Sequence, residues 1–184
     1  DLLLRSGASI NEMNTVRKHM SDIKGGRLAN FANPSTCYSL IISDVINDDI
    51  SSIASGPTIS DSTTYSDAMD ILNRYNLSED TPPSIINHIK SGIEGRIDES
   101  PNEIDNCTNK IISSNRLYRE QLSSFASDHG YHPIIIPRDI DGEAKNEALF
   151  LIDSINKYTH ELDNKPLALI SGGETVVNMK GSGK

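Results

Sequence analysis

The segment NKIISSNRLYREQLSSFASDHGYHPIIIP, residues 109–137, contains the pattern that decides the fold. Its first residues, 109–114, are an Ile-containing run that predicts a strand. Residues 116–128 predict a helix, which ends where Gly130 supplies the left-handed C-cap conformation. Residues 131–137 then predict a second strand. A strand, a helix and a strand in this order are typical of a βαβ unit, in which the two strands are parallel.

The alternation of strands and helices continues after this segment. Residues 142–162 predict a long helix, LALIS at residues 167–171 predicts a third strand, and TVVNM at residues 175–179 predicts a fourth. Because crossover connections between parallel strands are almost always right-handed, we expect the strands at 109–114, 131–137 and 167–171 to share one parallel sheet. The sequence therefore predicts an α/β fold in three layers, with a mostly parallel sheet between helices.

The amino-terminal half shows a similar mixture of elements. CYSLIISDV, residues 37–45, is an apolar run that predicts a parallel strand buried on both faces. Helices are predicted at residues 10–20, 28–32, 67–75 and 84–92, and a polar loop at residues 47–64. Residues 94–107 are charged, contain Pro101 and lack apolar periodicity, which is typical of a linker. We therefore predict parts of two Rossmann-like α/β domains: residues 1–103, the end of a larger domain, and residues 104–184, the beginning of a second.

The composition argues against two broad classes of function. The formal net charge is −9, from 26 acidic and 17 basic residues, whereas nucleic-acid binding needs a cationic surface that displaces counterions. No apolar run approaches the roughly 20 residues of a membrane span, so we expect no membrane association and a cytoplasmic location. Cys37 and Cys107 lack the spacing of metal ligands and are expected to be idle thiols in a reducing compartment.

A pair of glycines lies within a cluster of basic residues near the amino terminus. Lys24-Gly25-Gly26-Arg27 precedes a predicted helix, and Arg17-Lys18 lies shortly before it. Glycine lets the backbone approach a ligand closely, and a helix N-terminus offers unpaired N–H groups to an anion. The residues predict either a pocket for a phosphate or carboxylate, or a helix corner with solvated basic side chains. They favour neither, and no Walker-type P-loop is present.

A carboxylate follows the strand predicted at residues 37–45. Ligands of open α/β sheets bind at the carboxyl ends of the strands, where Asp44 lies. There it could hold Mg²⁺ or accept a hydroxyl proton, or it could cap the next turn. Ser55-Gly56 in the following loop could present N–H groups to phosphate. Asp48 and Asp49 are expected to be solvated loop residues.

A second glycine pair follows the strand predicted at residues 167–171. Ser171-Gly172-Gly173-Glu174-Thr175 could form a close-approach loop with a charge at the strand end, or a glycine β-turn between two strands. Gly181 and Gly183 are expected to extend a further glycine-rich loop.

The order of these motifs resembles that of the class II glycerate kinase family. The resemblance is carried by SGASINEMNTVRKHMSDIKGGRLA (6–29), IISDVINDDISSIASGPTISD (41–61), SNRLYREQLSSFASDHGY (114–131) with GEA (142–144), and ALISGGETVVNMKGSGK (168–184). These blocks cover most of the chain. The resemblance implies a two-domain α/β protein that transfers the γ-phosphate of ATP to D-glycerate with Mg²⁺, commonly giving 2-phosphoglycerate, in a cleft between the domains.

The resemblance also implies roles for individual residues. Lys24 and Arg17 would neutralise phosphoryl or carboxylate charge, and Asp44 would bind the metal or orient the attacking hydroxyl. Glu174 is the second candidate metal ligand. The residues expected to line the nucleotide or substrate pocket are Gly25, Gly26, Ser55, Gly56, Gly172, Gly173, Glu174 and Thr175.

The chain departs from the family pattern at both ends. Family members have a glycine–lysine segment and a further Ser-Gly-Gly motif, which are expected to precede Asp1, and their glycine-rich stretch continues beyond residue 184. The chain is therefore expected to be an internal fragment that is inactive alone. Asn47 stands where many relatives have Gly, which is expected to change the loop geometry without changing the chemistry.

Two other functions stay open, and so does the oligomeric state. One is an NAD(P)H-dependent hydroxypyruvate reductase, although no Gly-x-Gly-x-x-Gly dinucleotide fingerprint is present in the sequence. The other is a non-catalytic module that binds a sugar acid. The expected partners are the small molecules D-glycerate and ATP, with a homodimer as an open alternative to a monomer.

Overall fold

The computed structural model describes residues 1–160 and 166–178. By its internal contacts the chain divides into two compact units, Asp1–Ile112 and Ser113–Lys184. The predicted domain boundary, after residue 103, stays a prediction. The division falls later because the strand that begins at Cys107 is hydrogen-bonded to a strand of the first unit.

The first unit consists mainly of helices. They are α1 (Leu2–Arg5), α2 (Ile10–Lys18), α3 (Arg27–Ala32), α4 (Tyr65–Arg74) and α5 (Pro83–Ile93), with strands β1 (Cys37–Ile42) and β2 (Cys107–Ser113), whose last residue falls in the second unit. Short 3₁₀ turns occur at Ile46–Asp48 and Ile53–Ser55. All four helices predicted in this region are confirmed to within a few residues, whereas α1 was not predicted.

Local sequence signals fix where these helices begin. The Ser9 side chain accepts a hydrogen bond from the Glu12 N–H while the Glu12 carboxylate accepts one from the Ser9 N–H, which is a capping box at the start of α2. Thr64 and Asp67 form the same arrangement at α4. Pro83 occupies the first turn of α5, where its missing N–H is not needed.

The core of the first unit joins α2, α4 and α5. Its buried residues are Val16, Tyr65, Ala68, Ile71, Leu72, Leu77 and Ile89. A Cβ on Gly92 of α5 would collide with the Tyr65 ring, so the absence of a side chain there lets α5 approach α4 closely. Burial of these apolar side chains is the main source of stability in the unit.

The second unit has the predicted βαβ arrangement. It contains α6 (Asn115–Asp128), β3 (His132–Ile135), α7 (Ala144–Thr159) and β4 (Leu167–Ile170). Strands β3 and β4 are parallel, with His132 opposite Leu167 and Ile135 opposite Ile170. The α/β class and the parallel pairing of these two strands are therefore confirmed.

Two expectations about the strands are wrong. Within residues 1–160 and 166–178, β2 is hydrogen-bonded to β1 and not to β3, so the three carboxyl-terminal strands do not form one sheet. Strand β1 is not buried on both faces either. Its residues alternate between half-buried and exposed. The exposed fractions of Tyr38, Leu40 and Ile42 are 77%, 66% and 68%. The sequence run is apolar on both faces, but only one face is packed.

Several other expectations concern the end of the chain. In the region predicted as a fourth strand, Val176 forms one isolated parallel bridge with Glu143, and Met179 lies outside the described residues. The glycines at 181 and 183 also lie outside them, as does Leu162, the predicted end of α7. No helix in the described part of the chain is long and apolar enough to cross a membrane.

The two cysteines, distant in sequence, lie on neighbouring strands. Cys37 and Cys107 begin β1 and β2, and both thiols are free and half-buried. Burial, with a smaller contribution from Cys37, raises the pKa of the Cys107 thiol. A raised pKa lowers the thiolate fraction and with it the reactivity of Cys107.

Candidate functional site

Two of the predicted motifs meet in the first unit. The Gly25 N–H donates to the Ser55 carbonyl at 3.0 Å, and the Gly26 N–H donates to the Gly56 carbonyl at 2.8 Å. Residues 30 positions apart in sequence, Lys24 and Ala54, are joined by a further bond, in which Lys24 Nζ donates to the Ala54 carbonyl at 2.9 Å. The Lys24–Gly26 turn and the Ala54–Gly56 turn therefore form one structural feature.

The Ala54–Gly56 turn has a strained backbone. Ala54, Ser55 and Gly56 have φ values of 51°, 61° and 58°, so three consecutive residues are left-handed. Such a conformation costs of the order of 1–3 kcal/mol for each residue that has a side chain, and it persists only where its surroundings enforce it. The bonds from Lys24, Gly25 and Gly26 supply that enforcement. Strain of this kind is concentrated at binding and catalytic sites.

One element of the anion-pocket hypothesis is wrong. It included unpaired N–H groups at the start of α3, but the Gly26 N–H donates to the Gly56 carbonyl, the Arg27 N–H to the Lys24 carbonyl and the Ala29 N–H to the Pro57 carbonyl at 3.4 Å. The Gly25 N–H is also engaged, with the Ser55 carbonyl. The N–H groups of Ser55 and Gly56 are likewise bonded, to Ser52 and Ile53. These N–H groups therefore hold the turns together, and any anion here would be bound by side chains.

A short polar network connects Arg17 to the same turn. Asn14 is buried, and its Oδ1 accepts from Ser55 Oγ at 3.0 Å and from Arg17 Nη1 at 3.4 Å. Its amide also donates to the Ser52 carbonyl at 3.5 Å. Arg17 itself is exposed. The sequence analysis did not single out Asn14, although a polar residue on the buried face of an amphipathic helix is the signal that could have identified it.

Lys18, predicted as one of the solvated or ligand-facing cations, is instead buried. Its Nζ lies 3.2 Å from Asp61 Oδ1, and the side chains of Lys18 and Asp61 are only 11% and 2% exposed. Lys18 therefore forms a buried ion pair inside the first unit and is not a surface cation. Asp61 was not predicted as a functional residue, because nothing local in the sequence links it to Lys18.

Asp44 lies where the sequence placed it, directly after β1. Its side chain is exposed, while the neighbouring Ser43 is buried and donates to the Val45 carbonyl at 3.3 Å. Among the described residues no hydrogen bond or ion pair engages the Asp44 carboxylate, so both of its oxygens can accept a ligand. Asn47 has a φ of 65°, a left-handed conformation that Gly adopts readily and Asn tolerates better than most residues.

Asp49 is exposed, as expected for a solvated loop residue, and it also has a local structural role. Its carboxylate accepts hydrogen bonds from the Ser51 hydroxyl and N–H and from the Ser52 hydroxyl, at 2.7–3.0 Å. The Ser52 hydroxyl, followed by that of Ser51, lowers the pKa of the Asp49 carboxyl group. Asp48 is half-buried and has a φ of 55°.

The second unit contains the other glycine turn. The Ile140 N–H donates to the Gly172 carbonyl at 2.8 Å, and a Cβ on Gly173, whose φ is 133°, would collide with the Ile140 backbone. A Cβ on Gly172 would collide with the Asn115 side chain. Both positions therefore require glycine because of close packing. Glu174 and Thr175 are exposed on this turn.

Residues 1–90 match the model of a protein family that is described as a domain of unknown function, DUF4147. The chain is 43% identical to a glycerate 2-kinase from Pyrococcus horikoshii, an alignment that covers 100% of this chain and 42% of that relative. A protein from Agrobacterium vitis that is 38% identical bears the name hydroxypyruvate reductase; the alignment covers 96% of this chain and 45% of that protein.

The structure is similar to a solved one. The crystal structure of a glycerate kinase from Thermotoga maritima superposes with a TM-score of 0.83 at 37% identity, and covers 100% of this chain and 42% of that one. The chain thus spans about two fifths of the length of the glycerate kinases it matches. The sequence and the fold both agree over the whole chain, so we conclude that the chain is similar, from end to end, to a segment of the glycerate kinases.

Proposed function

We propose that the protein carrying this chain is a kinase that transfers the γ-phosphoryl group of ATP to D-glycerate, giving 2-phosphoglycerate. The observation that carries the proposal is the Lys24 side chain held against the strained Ala54–Gly56 turn, in a chain 43% identical to a glycerate 2-kinase. Phosphoryl transfer depends on positioning and on neutralisation of charge, for which a fixed ammonium group is suited.

Lys24 and Arg17 supply the positive charge in this proposal. Lys24 is half-buried and has one bond to the Ala54 carbonyl, so the remaining N–H donors of its ammonium group can contact phosphoryl or carboxylate oxygens. Arg17 is exposed, and its bond to Asn14 orients the guanidinium. Both cations are thereby linked to the Ser52–Gly56 region of the first unit.

Asp44 in the first unit and Glu174 in the second are each proposed as a magnesium ligand. The fit rests on donor chemistry: Mg²⁺ prefers carboxylate oxygens, and both are exposed acidic residues that follow strands. When bound, Mg²⁺ would neutralise charge on the phosphate oxygens. As the alternative to metal binding, Asp44 would orient the attacking hydroxyl group and accept its proton.

The glycine turn of the second unit is the proposed contact with the nucleotide or substrate. Gly172 and Gly173 follow the carboxyl end of β4, where ligands of parallel sheets bind. Thr175 would add a hydroxyl donor. For the first unit we propose a pocket of its own that is shaped by Gly25, Gly26, Ser55 and Gly56, whose N–H groups are engaged in other hydrogen bonds.

Further parts of the proposal concern the complete protein. We expect the present chain alone to lack turnover, because it spans 42% of the length of the kinases it resembles. A cytoplasmic location, and D-glycerate and ATP as the partners, complete the proposal, and a homodimer stays an open alternative to a monomer.

A hydroxypyruvate reductase is the second candidate, favoured by the name of the Agrobacterium vitis relative. A reductase needs a nicotinamide site, and the sequence has no dinucleotide fingerprint. The kinase is the better supported function.

The decisive experiment uses the complete protein with D-glycerate, ATP and Mg²⁺. Phosphorus NMR should show a phosphate ester on the glycerate 2-hydroxyl. In parallel, hydroxypyruvate and NADH should show no enzyme-dependent loss of NADH. Rapid NADH loss without ester formation would establish the reductase instead, and calorimetric binding of D-glycerate without either reaction would establish a binding module.

A further inference from the structure

A buried polar cluster lies against the Lys24 turn. It consists of Lys18 from α2, Asp61 from the loop before α4, and Ser100 from the segment before β2. We name it the Lys18–Asp61–Ser100 cluster. Asp61 Oδ1 contacts Lys18 Nζ at 3.2 Å and also accepts from the Thr63 N–H and hydroxyl, at 3.1 and 2.8 Å. One carboxylate oxygen is therefore fully engaged.

The other carboxylate oxygen faces Gly25. A Cβ on Gly25 would lie 3.0 Å from Asp61 Oδ2, 3.1 Å from Ser100 Oγ and 3.3 Å from Lys18 Cβ. Asp61 and Ser100 are only 4% and 6% exposed. Within the described ranges 1–160 and 166–178, neither Asp61 Oδ2 nor Ser100 Oγ has a hydrogen-bond partner. All three residues of the cluster thus converge on one α-carbon, which adjoins Lys24.

Stability alone is a weak reason for such a cluster. A buried ion pair loses the hydration of both charges, and its replacement by apolar residues of similar volume is often neutral or stabilising. The position of the cluster suggests a different reason. Gly25 is held on one side by the cluster and on the other by its bond to the Ser55 carbonyl. The backbone at Gly25 therefore has little room to move.

We propose that Lys18, Asp61 and Ser100 are positioning residues for Lys24. They fix Gly25 against the Ala54–Gly56 turn and thereby keep the Lys24 ammonium group at the Ala54 carbonyl. None of the three touches a reacting group in this proposal. The kinetic consequence rests on the proposed function, whereas the effect on the position of Lys24 does not.

The main test is the double variant Lys18→Met/Asp61→Asn in the complete protein, which removes both buried charges together. Its matched control is Glu94→Gln/Arg96→Gln, which removes an exposed ion pair of the same unit, with side chains 51% and 66% exposed. Acetic anhydride labelling of Lys24, read by mass spectrometry, reports the position of the amine without reference to catalysis. Urea unfolding shows that each variant is folded.

Labelling of Lys24 should be several-fold faster in the double variant than in the wild type, and unchanged in the control. The kcat should fall at least ~30-fold with little change in KM, because misplacement of a catalytic group by about 1 Å can cost ~100-fold. The single variant Gly25→Ala, which places a methyl group against Asp61 and Ser100 without removing a charge, should give the same pattern and decides the matter if the double variant does not fold.

Unchanged labelling of Lys24 in a folded variant of either kind overturns the inference. The failure of the proposed function gives a different result. Faster labelling in the variants, together with no phosphorylation of D-glycerate by the wild type, would leave the positioning role intact and remove the kinase.

Discussion

Lys24 Nζ donates a hydrogen bond of 2.9 Å to the carbonyl of Ala54, a residue whose φ is 51°. A cation therefore contacts a strained, non-glycine backbone at the point where two sequence motifs meet. Neighbouring bonds from Gly25 and Gly26 to Ser55 and Gly56 continue the same contact. This arrangement is the structural basis of the proposed site, and the predictions below start from it.

Removal of the Lys24 charge should abolish most of the activity. We expect Lys24→Ala in the complete protein to lower kcat at least ~100-fold, as the loss of a preorganised charge-stabilising group does. The measurement is steady-state kinetics with D-glycerate and ATP. Lys90→Ala, at an exposed position of α5, is the matched control and should keep wild-type turnover. A fully active Lys24→Ala protein would exclude Lys24 from the site.

Asp44→Asn should change the metal dependence. Because magnesium binding favours a charged carboxylate, the Mg²⁺ concentration that gives half-maximal activity should rise at least ~10-fold, or transfer should cease. A Mg²⁺ titration of activity measures this directly, with Asp70→Asn on the exposed face of α4 as control. A titration curve identical to the wild type would leave Asp44 as a structural residue.

Replacement of Ala54 tests the strain in the turn. Glycine adopts left-handed φ values without a steric cost, so Ala54→Gly should raise the free energy of unfolding by about 1 kcal/mol. Ala54→Val should lower it, because a β-branched side chain disfavours φ 51°. Urea unfolding compares the two. Equal stabilities of the Gly and Val variants would show that the turn is not strained.

Glu12 should contribute to stability in a defined pH range. A hydrogen bond from the Ser9 N–H, followed by one from the Tyr75 hydroxyl, lowers the pKa of the Glu12 carboxyl group from 4.5 to about 2. Because the pKa of Glu12 is lower in the folded state, its contribution to the free energy of unfolding is complete above pH 4.5 and is lost as the pH falls through about 2. Unfolding midpoints in urea should therefore depend less on pH in Glu12→Gln than in the wild type between these limits. Parallel curves for the two proteins would contradict the assignment.

Gly92→Ala tests the close packing of α5 on α4. The added methyl group would collide with the buried Tyr65 ring, and overpacking of this kind costs about 1–3 kcal/mol. Gly95→Ala is the comparison: nothing lies within 4 Å of its Cβ, although its φ is 71°, so only backbone strain applies. Urea unfolding should show the larger loss for Gly92→Ala; the reverse order would show that α5 does not pack as described.

The sequence by itself determined the helices of both units other than α1, and the βαβ order of the second unit. Helix periodicity and capping act over only a few residues, so the sequence predicted α2 and α4 to within two residues at each end; Ser9 with Glu12 and Thr64 with Asp67 cap their starts in the structure. The order of the glycine motifs, read as a resemblance, also indicated the glycerate kinases to which the chain is similar. Lys24, Asp44 and Ser55 were identified as candidates from local context alone.

The tertiary structure decided which groups are free to act. It showed that the N–H groups of Gly25 and Gly26 are engaged, that Lys18 is buried on Asp61, and that β2 pairs with β1. Each of these contacts joins residues far apart in the chain. Such partners are chosen by the packing of the whole unit, through burial and mutual hydrogen bonding, and no pattern within a short window of sequence encodes that choice.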